Sequence, residues 1–151
     1  MALKHFTAVT TILFALAFIP RASAEPAADV ARDWGLLGTW AVDCSASPKK
    51  GVTSFYTYTV TSAGTVTLKR DNEDFSFSII DARIGPDHTL VLTMPMPQPQ
   101  FKTTRESSFT KDANGDLRPV YNRDKDTGVY SIQDGLIVAN GNPVPSLHKC
   151  K

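Results

Sequence analysis

Reactive chemistry is scarce in this sequence. Among 151 residues there are 2 cysteines and 3 histidines. His5 lies near the start, while His88 and His148 each sit beside a turn or terminus. No metal-ligand spacing links them to one another or to the cysteines. No serine occupies a nucleophile-elbow motif, and no glycine-rich loop is built to cradle a phosphate. Paired acids occur only in turns, where water solvates them. An excess of one charge is missing too, with 16 basic residues against 15 acidic ones. The basic residues never cluster beyond two, which removes the electrostatic case for nucleic acid or an anionic membrane surface. Past residue 24 no apolar run approaches the length of a membrane span, and no internal repeat is visible. The expectation is a non-enzymatic protein with no cofactor and no metal.

What is present begins with residues 1–24. Lys4 and His5 form a short basic start, Thr7 to Ile19 is apolar apart from its threonines, and Ala22-Ser23-Ala24 gives a small-residue cleavage pattern. These are the three parts of a secretory signal peptide, and the apolar run is short for a bilayer crossing. A periplasmic or secreted protein is expected. Removing Lys4 and Arg21 with the signal leaves 127 residues carrying 14 basic and 15 acidic side chains, one domain's worth. The expected organisation is a signal peptide over 1–24, an N-terminal arm or short helix over 25–37, and one β domain over 38–151. In an oxidising compartment Cys44 and Cys150, an isolated even pair, are expected to be joined.

Glu25 to Leu37 is the plausible helix, with Ala27, Ala28, Val30 and Ala31 among Asp29, Arg32 and Asp33, stopped by Gly35 and Gly38. After Gly38 the hydrophobic period changes to two, the signature of strands. Strands are expected at Thr39–Cys44, Val52–Thr61, Thr65–Arg70 and Phe75–Ile79, then at Thr89–Met94, Phe101–Thr110, Leu117–Asn122, Val129–Gln133 and Leu136–Ala139. Tyr56, Tyr58 and Val60 share one face of the second strand; Val66 and Leu68 mark that face in the third, and Phe75, Phe77 and Ile79 in the fourth. The segment Met94–Phe101 carries Pro95, Pro97 and Pro99 and is expected to leave the sheet and cross an end or an edge. Asp112–Asp116 and Asn122–Asp126 have calcium-loop-like oxygen spacing without the full ligand pattern, so they read as turns. About eight or nine short strands with tight turns and no crossover helices indicate an all-β fold. The expected form is an antiparallel meander making a small barrel or sandwich.

Trp40 opens the first strand, where a large ring is suited to closing one end of the core. Gly38-Thr39-Trp40, following a helical turn, resembles the Gly-x-Trp signature of lipocalins and other calycins. That resemblance implies a barrel in which Gly38 and Trp40 close one end, with a basic residue from a late strand covering the tryptophan. The lipocalin Thr-Asp-Tyr motif and a long helix after the last strand are absent from the sequence. Gly38, Trp40, Asp43, Cys44 and Cys150 also resemble the opening and closing residues of small exported lipocalin-like β-barrel proteins of Gram-negative bacteria. This second likeness implies the fold and the disulfide. Two functions follow as expectations. One is a lipocalin-like binding protein holding a small apolar ligand in a barrel mouth lined by Tyr56, Tyr58, Phe75, Phe77, Leu90, Leu92 and Phe101. The other is a periplasmic protein-interaction module, such as a protease or lysozyme inhibitor, using Glu25–Asp33 as a free arm.

Overall fold

The computed structural model describes residues 25–47, 52–96 and 103–151. The signal segment 1–24 and Phe101, with the prolines Pro97 and Pro99, lie outside the described residues. One helix, α1 (Ala27–Asp33), precedes eleven strands among the described residues. The strands β1 (Gly38–Ala41), β2 (Phe55–Val60), β3 (Val66–Arg70) and β4 (Ser76–Ile79) form one antiparallel sheet in sequence order. The second sheet holds β5 (Asp81–Ile84), β6 (Leu90–Pro95), β7 (Thr104–Lys111), β8 (Leu117–Asp124), β9 (Tyr130–Gln133) and β10 (Leu136–Ile137), again in order. Finally β11 (His148–Lys149) returns to pair with β1.

The two sheets meet at both sides. Between β4 and β5 the chain changes sheet at Ile80, whose N–H donates to the Thr93 carbonyl of β6 at 2.9 Å. At the opposite side Leu147, just before β11, exchanges two 2.9 Å backbone hydrogen bonds with Leu117 of β8. Backbone pairing therefore runs β1–β2–β3–β4, across to β6, β7 and β8, and through Leu147 and β11 back to β1. The architecture is barrel-like, and such pairing leaves few free sheet edges. Cys44 and Cys150 are bonded, with Cα atoms 5.4 Å apart, which fastens the returning strand to the end of β1.

Two strands lie beyond the nine expected. β5 is separate because the run from Phe75 breaks at the exposed Ile80, and β11 has two residues, too few to give a periodic signal. The helix is shorter than Glu25–Leu37. Gly35 adopts φ +80° just past its end; its N–H reaches the Arg32 carbonyl while that of Leu36 reaches the Ala31 carbonyl, each at 2.9 Å. Those two bonds are a Schellman closure, which terminates a helix. Met94 does not leave the sheet as expected. It is buried in β6 opposite Arg105, Pro95 follows opposite Thr104, and the Met96 N–H continues the ladder to the Thr103 carbonyl at 3.0 Å. Pro95 ends the strand, where a missing N–H costs least.

One end of the molecule is filled. Helix α1 buries Ala28, Val30 and Ala31 and packs on β5 and β3. Glu25–Asp33 is thus not a free arm, since its apolar face is part of the core. Trp40 is 1% exposed and its Nε1–H donates to the Leu36 carbonyl at 2.7 Å. The Lys149 ammonium lies 5.3 Å from the Trp40 ring centre and donates to the Gly35 carbonyl. Lys111 repeats the arrangement, 4.5 Å from the Trp34 ring centre and 2.6 Å from the Trp34 carbonyl. Two lysines so satisfy carbonyls at the end of α1, where positive charge is favoured. Burial, then the neighbouring Lys149 charge, holds the Lys111 ammonium below its ordinary pKa. Trp34 Nε1–H reaches the His88 carbonyl at 2.9 Å. Gly38 has φ +125°, and a Cβ there would stand 3.1 Å from Lys149 Cε, so a side chain is excluded both by the backbone and by the lysine that covers Trp40.

Candidate functional site

Val66, Ile79, Leu90 and Leu117 are buried in one core cluster with Leu36, Trp40 and the apolar residues of α1. The rest of the interior is hollow. A cavity of about 500 Å³ opens there, within the range of pockets that hold small molecules. Its wall is built by period-two alternation on successive strands: Tyr56 and Tyr58 from β2, Leu68 and Arg70 from β3, Phe77 from β4, Met94 from β6, and Arg105, Ser107 and Phe109 from β7. Pro119, Tyr121 and Asn122 of β8, Ser131 and Ile132 of β9, Met96, and Val144, Pro145 and Leu147 of the C-terminal segment contribute the rest, together with Val42.

The seven expected lining residues separate accordingly. Tyr56, Tyr58 and Phe77 line the cavity. Leu90 and Leu92 face the interior as expected but are fully buried in packed core, because they lie nearer the α1 end; the third inward residue of β6, Met94, reaches the cavity. Phe75 does not line it either. Its ring packs edge-to-face on Phe77, with centres 5.2 Å apart at 70°. Phe101 lies outside the described residues.

The polar groups of the wall are few and unevenly engaged. Arg70 Nε donates to Glu73 Oε2 at 2.8 Å, and its guanidinium sits 4.5 Å from the Phe77 ring centre. Arg105 has no side-chain hydrogen bond or ion pair among the described residues. Asp124, opposite it on β8, instead accepts the backbone N–H groups of Asp126 and Thr127 at 2.9 Å each. Those bonds, that of Thr127 first, hold the Asp124 carboxyl below its usual pKa. Asn122 donates to Ser107 Oγ at 2.6 Å and accepts from Ser131 Oγ at 2.8 Å. Burial raises the pKa of the Tyr58 and Tyr56 phenols, which are neutral at physiological pH in any case. The cavity is thus largely aromatic and thioether-lined, with one unengaged cation among the described residues.

A second polar cluster occupies the other face of β7. Glu106 is 1% exposed, yet both its oxygens are occupied. Oε2 accepts from Arg83 at 2.8 Å; Oε1 accepts from Tyr121 at 2.9 Å and from Arg123 at 2.6 and 3.0 Å. Burial pushes the carboxyl up, but hydrogen bonds from Arg83, Tyr121 and Arg123 outweigh it and hold the group down at about 2. Tyr121 is pushed up to about 12, by burial first and then by Glu106. A carboxylate held ionised with both oxygens engaged is a cross-strand tie linking β5, β7 and β8, not a proton donor. The Thr93 hydroxyl, on the neighbouring strand opposite Glu106, is buried without a partner. The two calcium-like segments use their carboxylates on their own turns, Asp112 Oδ1 accepting from Asn114 and Asp116 N–H and Asp124 as above.

Sequence reasoning missed Arg105, Met94, Met96 and Phe109. Arg105 and Phe109 stand in a strand whose composition reads as solvent-facing, and the two methionines stand in the segment assigned to a crossing loop. Arg105, Ser107 and Phe109 do alternate with period two, which is the signal that they share a face. No family model, curated protein or solved structure matches the chain. The fold and the cavity define the class as far as geometry reaches: a disulfide-closed, barrel-like β protein with one filled end and one hollow, basic, aromatic end.

Proposed function

We propose that this is a non-enzymatic binding protein that is exported, as the 1–24 segment implies, and holds a small apolar or amphipathic molecule in its hollow end. The cavity carries the reading: about 500 Å³, with a mainly apolar wall that includes Tyr56, Tyr58, Phe77, Met94 and Phe109. The Cys44–Cys150 bond is consistent with an oxidising compartment such as the periplasm. Among the described residues no helix is long and apolar enough to cross a membrane. Lys149 over Trp40 corresponds to the basic residue that covers the tryptophan in lipocalin-type barrels, and it supports a lipocalin-like interior without assigning a ligand.

Titration with N-phenyl-naphthylamine, a neutral fluorophore that brightens in apolar surroundings, tests the reading. Saturable binding at one site is expected. Ile132→Trp, which narrows the cavity from half-buried β9, should abolish binding while leaving the melting curve in place. Equal binding by the variant would place the fluorophore elsewhere and refute the assignment.

A further inference from the structure

We infer that the natural ligand of this cavity is a singly charged anionic amphiphile, its oxyanion head group paired with Arg105 and its apolar body against Tyr58, Phe77 and Phe109. The inference rests on the cavity being the binding site and goes beyond it by assigning the head group. Two arginines line the wall, and they differ in one respect: Arg70 is neutralised by Glu73, whereas Arg105 has no partner among the described residues. A guanidinium at the wall of a mainly apolar cavity, with no carboxylate bonded to it among the described residues, keeps its N–H donors available to a ligand. Asp124 stands across the strand pair from it, but its carboxylate accepts the Asp126 and Thr127 N–H groups and makes no ion pair with Arg105.

A ligand carboxylate, sulfonate or sulfate satisfies that fork with two parallel hydrogen bonds, the geometry for which arginine is suited. The two tyrosines of β2 line the same cavity, and their neutral phenols can donate to the head group. The one lining cation without a partner among the described residues matches one negative charge; a dianion or a cation would leave an uncompensated charge in the cavity.

The experiment compares dodecanoate with dodecanol as competitors of N-phenyl-naphthylamine, using the disulfide-bonded protein without its signal and the variants Arg105→Met and Arg105→Lys. The expected result has three parts. The unaltered protein binds dodecanoate roughly ten- to a hundredfold more tightly than dodecanol. Arg105→Met still binds the fluorophore and dodecanol but loses the preference, and Arg105→Lys keeps only part of it. Without ligand, Arg105→Met melts no lower than the parent, since the arginine makes no bond that stabilises the empty fold. If the fluorophore binds and the preference is absent, or survives in Arg105→Met, the head-group assignment is wrong while the cavity reading stands. If the fluorophore does not bind at all, both are wrong. A melting temperature lowered in Arg105→Met would show that the arginine serves the fold.

Discussion

Replacing both Cys44 and Cys150 by serine perturbs the one covalent tie of the barrel-like circuit. The bridge spans a sequence separation of 106 residues. Chain-entropy reasoning for a loop of that length gives about 4.7 kcal/mol at 25 °C, since the unfolded chain regains the freedom the bond had removed. For a domain of this size such a loss lowers the melting temperature by about 10–20 °C. The structure adds a local consequence. β11 pairs with β1 only at Lys149 opposite Trp40 and His148 opposite Ala41, with one further bond from Cys150 N–H to the Thr39 carbonyl. So short a strand is held mainly by the bridge. Without it the C-terminal residues fray, Leu147 separates from Leu117, and Lys149 leaves the Trp40 ring. Circular-dichroism melts of the oxidised protein, the reduced protein and the double serine variant measure the first effect, and tryptophan emission measures the second. A fall of less than about 5 °C, with unchanged emission, would refute the claim that this bond holds the circuit closed.

Three further outcomes follow from other contacts. Trp40→Ala removes a 1% exposed ring bonded to the Leu36 carbonyl and should cost about 3–5 kcal/mol in denaturant unfolding; unchanged stability together with lost ligand binding would make Trp40 a recognition residue. Gly38→Ala forces a side chain into positive φ against Lys149 and should cost about 1–3 kcal/mol, measured the same way, whereas a neutral result would mean that Lys149 can swing aside freely. Glu106 has its folded pKa lowered from 4.5 to about 2, so its stabilisation is fully present above the unfolded value and is lost as pH falls from about 4.5 toward 2. Glu106→Gln should flatten that part of the stability–pH profile and cost about 2–3 kcal/mol at neutral pH, the half-exposed arginines keeping the loss moderate. An unaltered acid profile would show that the arginine clamp contributes nothing.

The size of the Trp40 ring and its place in the first strand put it in the core, while period-two alternation with Thr57, Thr59, Ser76 and Ser78 was enough to place Tyr56, Tyr58 and Phe77 on the inner wall. It could not say how far along the barrel axis an inward residue lies. Leu90, Leu92 and Met94 obey the same alternation, yet the first two meet the packed α1 end and only the third meets the cavity. That height is set by strand stagger and by the helix covering one end, both long-range features. Glu106 was hidden for a related reason. In a strand composed of Thr, Arg, Glu and Ser the polar face reads as solvated, and only arginines from two other strands bury it. β11 was illegible because two residues carry no period; pairing with β1 and the bridge at Cys150 define it.

The most direct test of the account is native mass spectrometry of the protein recovered from the compartment to which it is exported, with masses recorded before and after denaturation. The account predicts a folded protein carrying one small molecule, released on denaturation and detected as an amphiphilic anion in negative-ion mode, and a bare protein when the same measurement is made on Ile132→Trp. A folded parent protein that carries no adduct and takes up neither N-phenyl-naphthylamine nor dodecanoate would contradict it.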